Sequence, residues 1–133
     1  MDVVFLDANV LFSAAWRADA GLGRLWRLTG AQLITSVYAV EEARRNLEEP
    51  DQVRRLEDLL PPMRIVPEVE DRSVVGATDL PDKDRPILLS AIAARATHLL
   101  TGDVQHFGRL FGRRVEGVLI LTPGDYLRSR ARG

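Results

Sequence analysis

The sequence predicts an α/β fold built on a mostly parallel sheet, and three observations predict it. Short runs of β-branched and apolar residues alternate along the chain with segments that repeat apolar residues at helical spacing, the pattern of successive strand–helix units. Several of these runs stop abruptly on polar residues, as buried strands do at a sheet edge. The chain has 133 residues, of which 46% are hydrophobic and 28% charged. That is an ordinary globular composition in the size range of one core, roughly 100–200 residues. A single domain over residues 1–133 is therefore expected.

Val3–Leu6 reads as the first strand, ending at Asp7-Ala8-Asn9. Helical spacing follows over Val10–Ala18 and Leu22–Leu28, broken near Gly21 and stopped at Gly30. Gln32–Thr35 is a second strand, and Ser36 is a suitable N-cap for a helix running to about Glu48, before Pro50. Asp51–Leu60 is a further helix halted by Pro61-Pro62, and Arg64–Val66 a short third strand closed by Pro67. Glu68–Lys83 is the least regular stretch, with only Val74 and Val75 suggesting packing. Pro86–Ala96 is apolar on nearly every side with proline in its first turn, which predicts a buried helix. His98–Thr101 is a strand ending in Gly102-Asp103, Val118–Leu121 is the last strand, and Thr122-Pro123 opens a short terminal helix.

Composition narrows the chemistry. With no cysteine, disulfides, thiolate zinc sites and thiol nucleophiles are excluded, leaving carboxylates, two histidines and hydroxyls. No basic leader opens the chain, and no window reaches the roughly 18 apolar residues of a membrane span, so a soluble, cytoplasmic protein is expected. The formal charge is −1, from 18 basic and 19 acidic residues. Lys83 is the only lysine among the basic ones. Arginine suits phosphate recognition, but a GC-rich genome produces the same excess, so net charge says little about nucleic acid.

In parallel α/β sheets, ligands bind beyond the carboxyl ends of the strands, so the residues there matter most. Asp7 and Asp103 each follow a strand and would share one edge. Glu42 or Glu41, in the helix after the second strand, and Asp84, at the start of the apolar helix, can join them. On a helical wheel Val40, Ala43 and Leu47 form the buried face, with Glu41 and Glu42 about equally far to either side; Glu42 has the less charged flank, beside Ala39 and Asn46. Each acid alone reads as a helix cap or a solvated side chain. Four in one cleft would repel unless protons or a cation neutralised them, and magnesium, held by a few carboxylates and its own waters, fits best.

Four segments carry a resemblance. Phe5-Leu6-Asp7-Ala8-Asn9-Val10-Leu11, Ser36–Leu47 with Glu42, Asp84 three residues before Ile87 and seven before Ala91, and Leu100-Thr101-Gly102-Asp103-Val104-Gln105-His106-Phe107 resemble, in order and spacing, the acidic motifs of the PIN domain. The resemblance covers most of the chain and implies a Rossmann-like three-layer α/β/α sandwich. It also implies a magnesium- or manganese-dependent endoribonuclease that hydrolyses RNA through a carboxylate-held metal water. Many small members are VapC-like toxins restrained by an antitoxin. Carried over by position, the catalytic and metal-binding acids fall on Asp7, Glu42, Asp84 and Asp103, with Glu41 and Asp82 as neighbours in nearly the same register.

Asn9, Ser36 and Thr101 could orient those carboxylates or metal waters, though each also reads as an ordinary turn or cap residue, and Arg17, Arg85 and Arg109 are candidate phosphate contacts at the rim. His106 reads as a structural or surface residue more readily than as a general acid. Trp16, Trp26 and Tyr38 read as core or interface anchors, and with neighbouring arginines they suit a homodimer interface. Two other classes stay open. One is a PIN-like module that binds RNA or protein without cutting. The other is an aspartate-nucleophile phosphatase, which wants a second acid where Asn9 stands and would have only Lys83 as its supporting lysine.

Overall fold

A computed structural model describes residues 1–132. It contains a six-stranded sheet of β1 (Asp2–Leu6), β2 (Ala31–Ser36), β3 (Arg64–Val66), β4 (His98–Leu100), β5 (Arg114–Val115) and β6 (Val118–Leu121) in the order β3-β2-β1-β4-β6-β5. Every neighbouring pair is parallel except β5 with β6. The helices are α1 (Ala8–Ala15), α2 (Val37–Asn46), α3 (Pro50–Leu59), α4 (Arg85–Ala93), α5 (Val104–Phe107) and α6 (Pro123–Arg132), with 3₁₀ turns at Gly21–Arg27 and Gly108–Leu110. The fold is the mostly parallel α/β architecture that the alternation of strands and helices predicts.

The chain builds β1, β2 and β3 outward in one direction, then crosses back to lay β4 on the other side of β1. Right-handed crossovers in that order place α1 to α3 on one face of the sheet and α4 on the opposite one. The packing agrees, since α1 rests on α2 and α3, whereas α4 rests on β2 and β4 and also touches α2. The reversal of strand order between β1 and β4 leaves a crevice at their carboxyl ends. Val4, Phe5, Leu6, Ile34, Leu99, Leu100 and Ile120 are all fully or almost fully buried, which is why these short strands read as unbroken apolar runs rather than alternating ones.

Local chemistry sets the helix ends. The Asp7 side chain caps α1 by accepting from the Ala8 N–H, and the Ser36 hydroxyl caps α2 by accepting from the Ala39 N–H at 3.1 Å. Pro50 opens α3 and Pro86 falls in the first turn of α4, where a missing N–H costs little. The first helix is shorter than the sequence spacing predicts, closing at Ala15, and the second apolar segment winds as a 3₁₀ turn because glycines at 21 and 23 weaken a full α-helix.

Within the irregular stretch Val74 is buried and Val75 is 88% exposed, while Ala77 and Leu80 supply the anchors that spacing alone misses. Trp26 packs on the core and donates from its indole to the Leu59 carbonyl at 2.9 Å; Trp16 stays half exposed. The last strand, Val118–Leu121, forms as the sequence predicts, whereas β5, which pairs with it as a hairpin, and the short helix α5 have no counterpart in the sequence reading. Among the described residues no helix is long and apolar enough to cross a membrane.

The terminal helix is fastened to the first strand: the buried Tyr126 donates its hydroxyl to Asp2 Oδ2 at 2.7 Å, and Arg130 reaches the same oxygen at 3.3 Å. Tyr126→Phe leaves the ring in place and removes that bond. It should lower unfolding free energy by about 1–2 kcal/mol, read as a lower urea midpoint with an unchanged slope.

Candidate metal centre and active site

The site follows from strand register. Leu6 of β1 stands opposite Leu100 of β4, so the next residues, Asp7 and Thr101, leave the sheet side by side. Their backbones remain tied into it, Asp7 donating to the Leu100 carbonyl and Thr101 to the Leu121 carbonyl, both at 3.1 Å. Asp7 is only 4% exposed and Thr101 fully buried. The Thr101 hydroxyl donates to Asp7 Oδ2 at 2.8 Å, and the Ala8 N–H donates to Oδ1 at 2.6 Å.

Asn9 completes the arrangement. Its amide nitrogen donates to Asp7 Oδ2 at 3.2 Å and to the Thr101 hydroxyl at 3.1 Å, and its oxygen accepts the Gly102 N–H at 2.7 Å. Both protons of that amide are thereby used. A Cβ at residue 102 would lie 3.4 Å from the Asn9 oxygen, so glycine there permits the close approach of the loop to Asn9. Thr101 also accepts the Asp103 N–H at 3.1 Å, which turns the chain out of β4 and into α5.

Glu42, Asp84 and Asp103 line the same cleft as Asp7, together with Ala8, Asn9, Phe12, Asn46 and Lys83, around a space of about 310 Å³. Between the near-register alternatives the geometry is clear. Glu42 faces the cleft while Glu41 is exposed elsewhere on α2, and Asp84 faces it while Asp82 points outward and pairs with Arg85 at 2.9 Å. Tyr38, in the first turn of α2, donates its hydroxyl to the Lys83 carbonyl at 2.8 Å and so holds the segment carrying Asp84 against the helix carrying Glu42.

The rim cations differ from those the sequence suggests. Arg85 is engaged by Asp71 at 2.7 Å and by Asp82, Arg17 pairs with Asp19 at 3.3 Å, and Arg109 pairs with Asp79 at 2.8 Å. Lys83 is the cationic side chain lining the cleft. Ser36 acts as the cap of α2.

His106 belongs to the cluster as well. Asp103 Oδ1 caps α5 by accepting the His106 N–H at 3.0 Å, and that turn brings His106 Nδ1 to 2.8 Å from Asp103 Oδ2 and 2.9 Å from Asp84 Oδ2. Neither approach has the direction of a hydrogen bond. His106 Nδ1 and Asp84 Oδ2 are both buried atoms without a hydrogen-bond partner among the described residues. The sequence signal for this placement was the three-residue step from Asp103, which brings residue 106 back beside its own cap.

The electrostatics match the crowding. Burial pushes the Asp7 carboxyl up to about 6, against the pull of Thr101 and Ala8, with Asp84 and Glu42 adding repulsion. Asp84 is likewise raised, first by burial, while the nearby imidazole acts in the other direction. Two orphaned ligand-type atoms among four carboxylates suit a hard divalent ion: Asp84, Asp103 and His106 offer donor atoms within 4.8 Å of one another, with Asp7 and Glu42 on the adjoining wall.

No family model and no curated protein matches the chain. Solved structures do. VapBC2 from Rickettsia felis, bound to a DNA fragment from its promoter, superposes with a TM-score of 0.64 at 15% identity, covering 90% of this chain and 98% of that one. FitAB bound to the IR36 DNA fragment gives 0.60 at 21% identity, over 90% and 94%. VapC20 of Mycobacterium tuberculosis, described as a sarcin–ricin loop cleaving toxin, gives 0.58 at 14% identity, over 85% and 97%. The protein has the PIN-like fold shared by these VapC-type structures.

The raised carboxyl of Asp7 has a measurable consequence. The folded, metal-free protein holds the Asp7 proton more tightly than the unfolded chain, so stability is greatest below pH 4 for this group and is lost as pH rises from about 4 to about 6. The cost at neutral pH is at most about 3 kcal/mol. Asp7→Asn removes that charge but turns its amide toward the donors Thr101 and Asn9, which offsets part of the gain. Denaturation of the metal-free proteins should therefore show the variant at least as stable as wild type at pH 7.5, with the difference growing between pH 4 and 6.

Proposed function

We propose that this protein is a divalent-metal-dependent endoribonuclease of the PIN type that acts in the cytoplasm. The observation that carries the reading is the convergence of Asp7, Glu42, Asp84 and Asp103 on one cleft at the switch in strand order, with the Asp84 Oδ2 atom buried and unpartnered. The PIN-like fold and the cleaving activity stated for VapC20 support it. The whole of residues 1–133 serves as one nuclease domain in this reading.

Asp7, Glu42, Asp84 and Asp103 would hold magnesium or manganese. Such an ion, when bound, activates water and stabilises charge on a phosphodiester. The chain's own contributions are distinct. Asn9 and Thr101 fix the Asp7 carboxylate so that it need not reorganise. Lys83 at the rim attracts the phosphate past the acidic wall, a contribution that weakens as salt rises. Asn9, with both amide protons engaged, leaves no acid two residues after Asp7, which disfavours the aspartyl-phosphate chemistry of a phosphatase.

The partners in this reading are an RNA substrate, an antitoxin segment that blocks the cleft, and a second copy of the chain. The half-exposed Trp16, tilted against Phe12 with ring centroids 5.2 Å apart, beside a groove that reaches Leu22 and Leu127, supports the dimer. Sedimentation at micromolar concentration should show self-association; a 14.8 kDa species unchanged with concentration would overturn that part.

Incubating the purified protein with single-stranded RNA should give cleavage that requires magnesium or manganese and stops with chelator. Asp7→Asn should reduce the rate by at least about 100-fold, since loss of a direct ligand should exceed the 10–100-fold cost of an outer-shell change, with the fold intact by circular dichroism. Retention of wild-type cleavage by that variant would place the chemistry elsewhere. Binding of RNA with no cleavage under any divalent ion would instead favour the non-catalytic module.

A further inference from the structure

We propose that His106 is a direct nitrogen ligand, through Nδ1, of the divalent ion at Asp84 and Asp103, and that it biases the site toward manganese over magnesium. The inference rests on the metal-dependent reading above and adds a donor that the four acids alone do not include.

The placement of the imidazole is enforced locally. Asp103 uses Oδ1 to cap α5 at the His106 N–H, which leaves Oδ2 free and fixes the ring beside it. The Nδ1 atom then stands 2.8 Å from Asp103 Oδ2 and 2.9 Å from Asp84 Oδ2. A protonated imidazole acting as an internal counter-ion would aim its N–H at one oxygen, yet Nδ1 and Asp84 Oδ2 are both buried and unpaired in direction. Separations of this size instead approach the edge of an octahedron with bonds of about 2.1 Å, roughly 3 Å. The neutral ring carries a lone pair on one nitrogen, and that lone pair is the one a metal requires.

The donor type decides the selectivity. Magnesium takes oxygen ligands and sheds its water reluctantly, whereas an imidazole nitrogen raises affinity along the first-row series that begins with manganese. A site of carboxylates alone separates the two ions less than one that also holds a nitrogen.

Two histidines occur in the chain, and the other, His98, lies in β4 near Asp2 and Tyr126, so the assignment is accessible by spectroscopy. Pulsed electron paramagnetic resonance of tag-free, manganese-loaded protein should show nitrogen-14 coupling from a bound imidazole. The coupling should persist in His98→Gln and vanish in His106→Gln. Calorimetric titration should show manganese affinity falling about 10-fold or more in His106→Gln, with magnesium affinity changed less than about 2-fold, so that the ratio between the ions collapses. Bound manganese without nitrogen coupling in the wild type, or coupling that survives in His106→Gln, would overturn the proposal and leave the carboxylate site standing. Failure of the wild type to bind manganese at all would overturn the metal-dependent reading as well.

Discussion

The pairing of Leu6 with Leu100 is the constraint on which the rest of the site depends. Side chains in a strand alternate faces, so a slip of one residue between β1 and β4 would exchange the packed layer that each buried side chain of one strand must fit. The full burial of Phe5, Leu6, Leu99 and Leu100 forbids that slip. With the register held, Asp7 and Thr101 must emerge together, and the hydroxyl, the amide of Asn9 and the N–H of Ala8 converge on a carboxylate that would otherwise be costly to bury. The apolar core thus positions polar atoms with a precision that no surface loop could match.

Around this fixed point the other acids arrive by different routes. Glu42 comes from α2, which starts at the carboxyl end of β2, and Asp84 comes from the long return between β3 and β4, held by the Tyr38 hydroxyl. The outcome is a cluster whose charges oppose one another and whose burial opposes charge altogether. Stability alone would not select it, since replacing such groups with apolar or neutral ones commonly strengthens a fold. Asp7 is fully satisfied by hydrogen bonds and Asp84 is not, so the unpaired acceptor lies on the side of the cleft where Asp103 and His106 also stand.

Much of this was legible in the sequence, and the exceptions have physical causes. Val3–Leu6 announced itself because a strand buried on both faces is continuously apolar, whereas the exposed edge strand Arg64–Val66 was legible from its β-branched pair between Pro61-Pro62 and Pro67, and Val118–Leu121 from its apolar run. The strand-end rule led directly to Asp7 and Asp103. Glu42 against Glu41 was not decidable, because both flank the buried face of α2 equally and only the position of the neighbouring elements distinguishes them. The β5–β6 hairpin was hidden because its turn is Glu116-Gly117, with φ of 46° and 87°, where Asn-Gly is the recognisable pair. Arg72 grips Glu116 through two hydrogen bonds, at 2.9 and 3.0 Å, a tertiary contact that periodicity cannot reveal. The same blindness explains the rim: single arginines look available in a sequence, and Asp71, Asp79 and Asp82 take them in the fold.

Asp7 and Asp103 each serve as a helix cap as well as a wall of the cleft. Asparagine caps about as well as aspartate, and one purine transition in the first base of either codon makes that exchange. A lineage can therefore shed the charge while the scaffold goes on folding, so purifying selection for a folded chain offers no resistance to the change. If the chain is the nuclease proposed above, selection for that chemistry alone would keep aspartate at these two positions, and a relative carrying asparagine at one of them would be a folded descendant whose surface persists after the charge has gone.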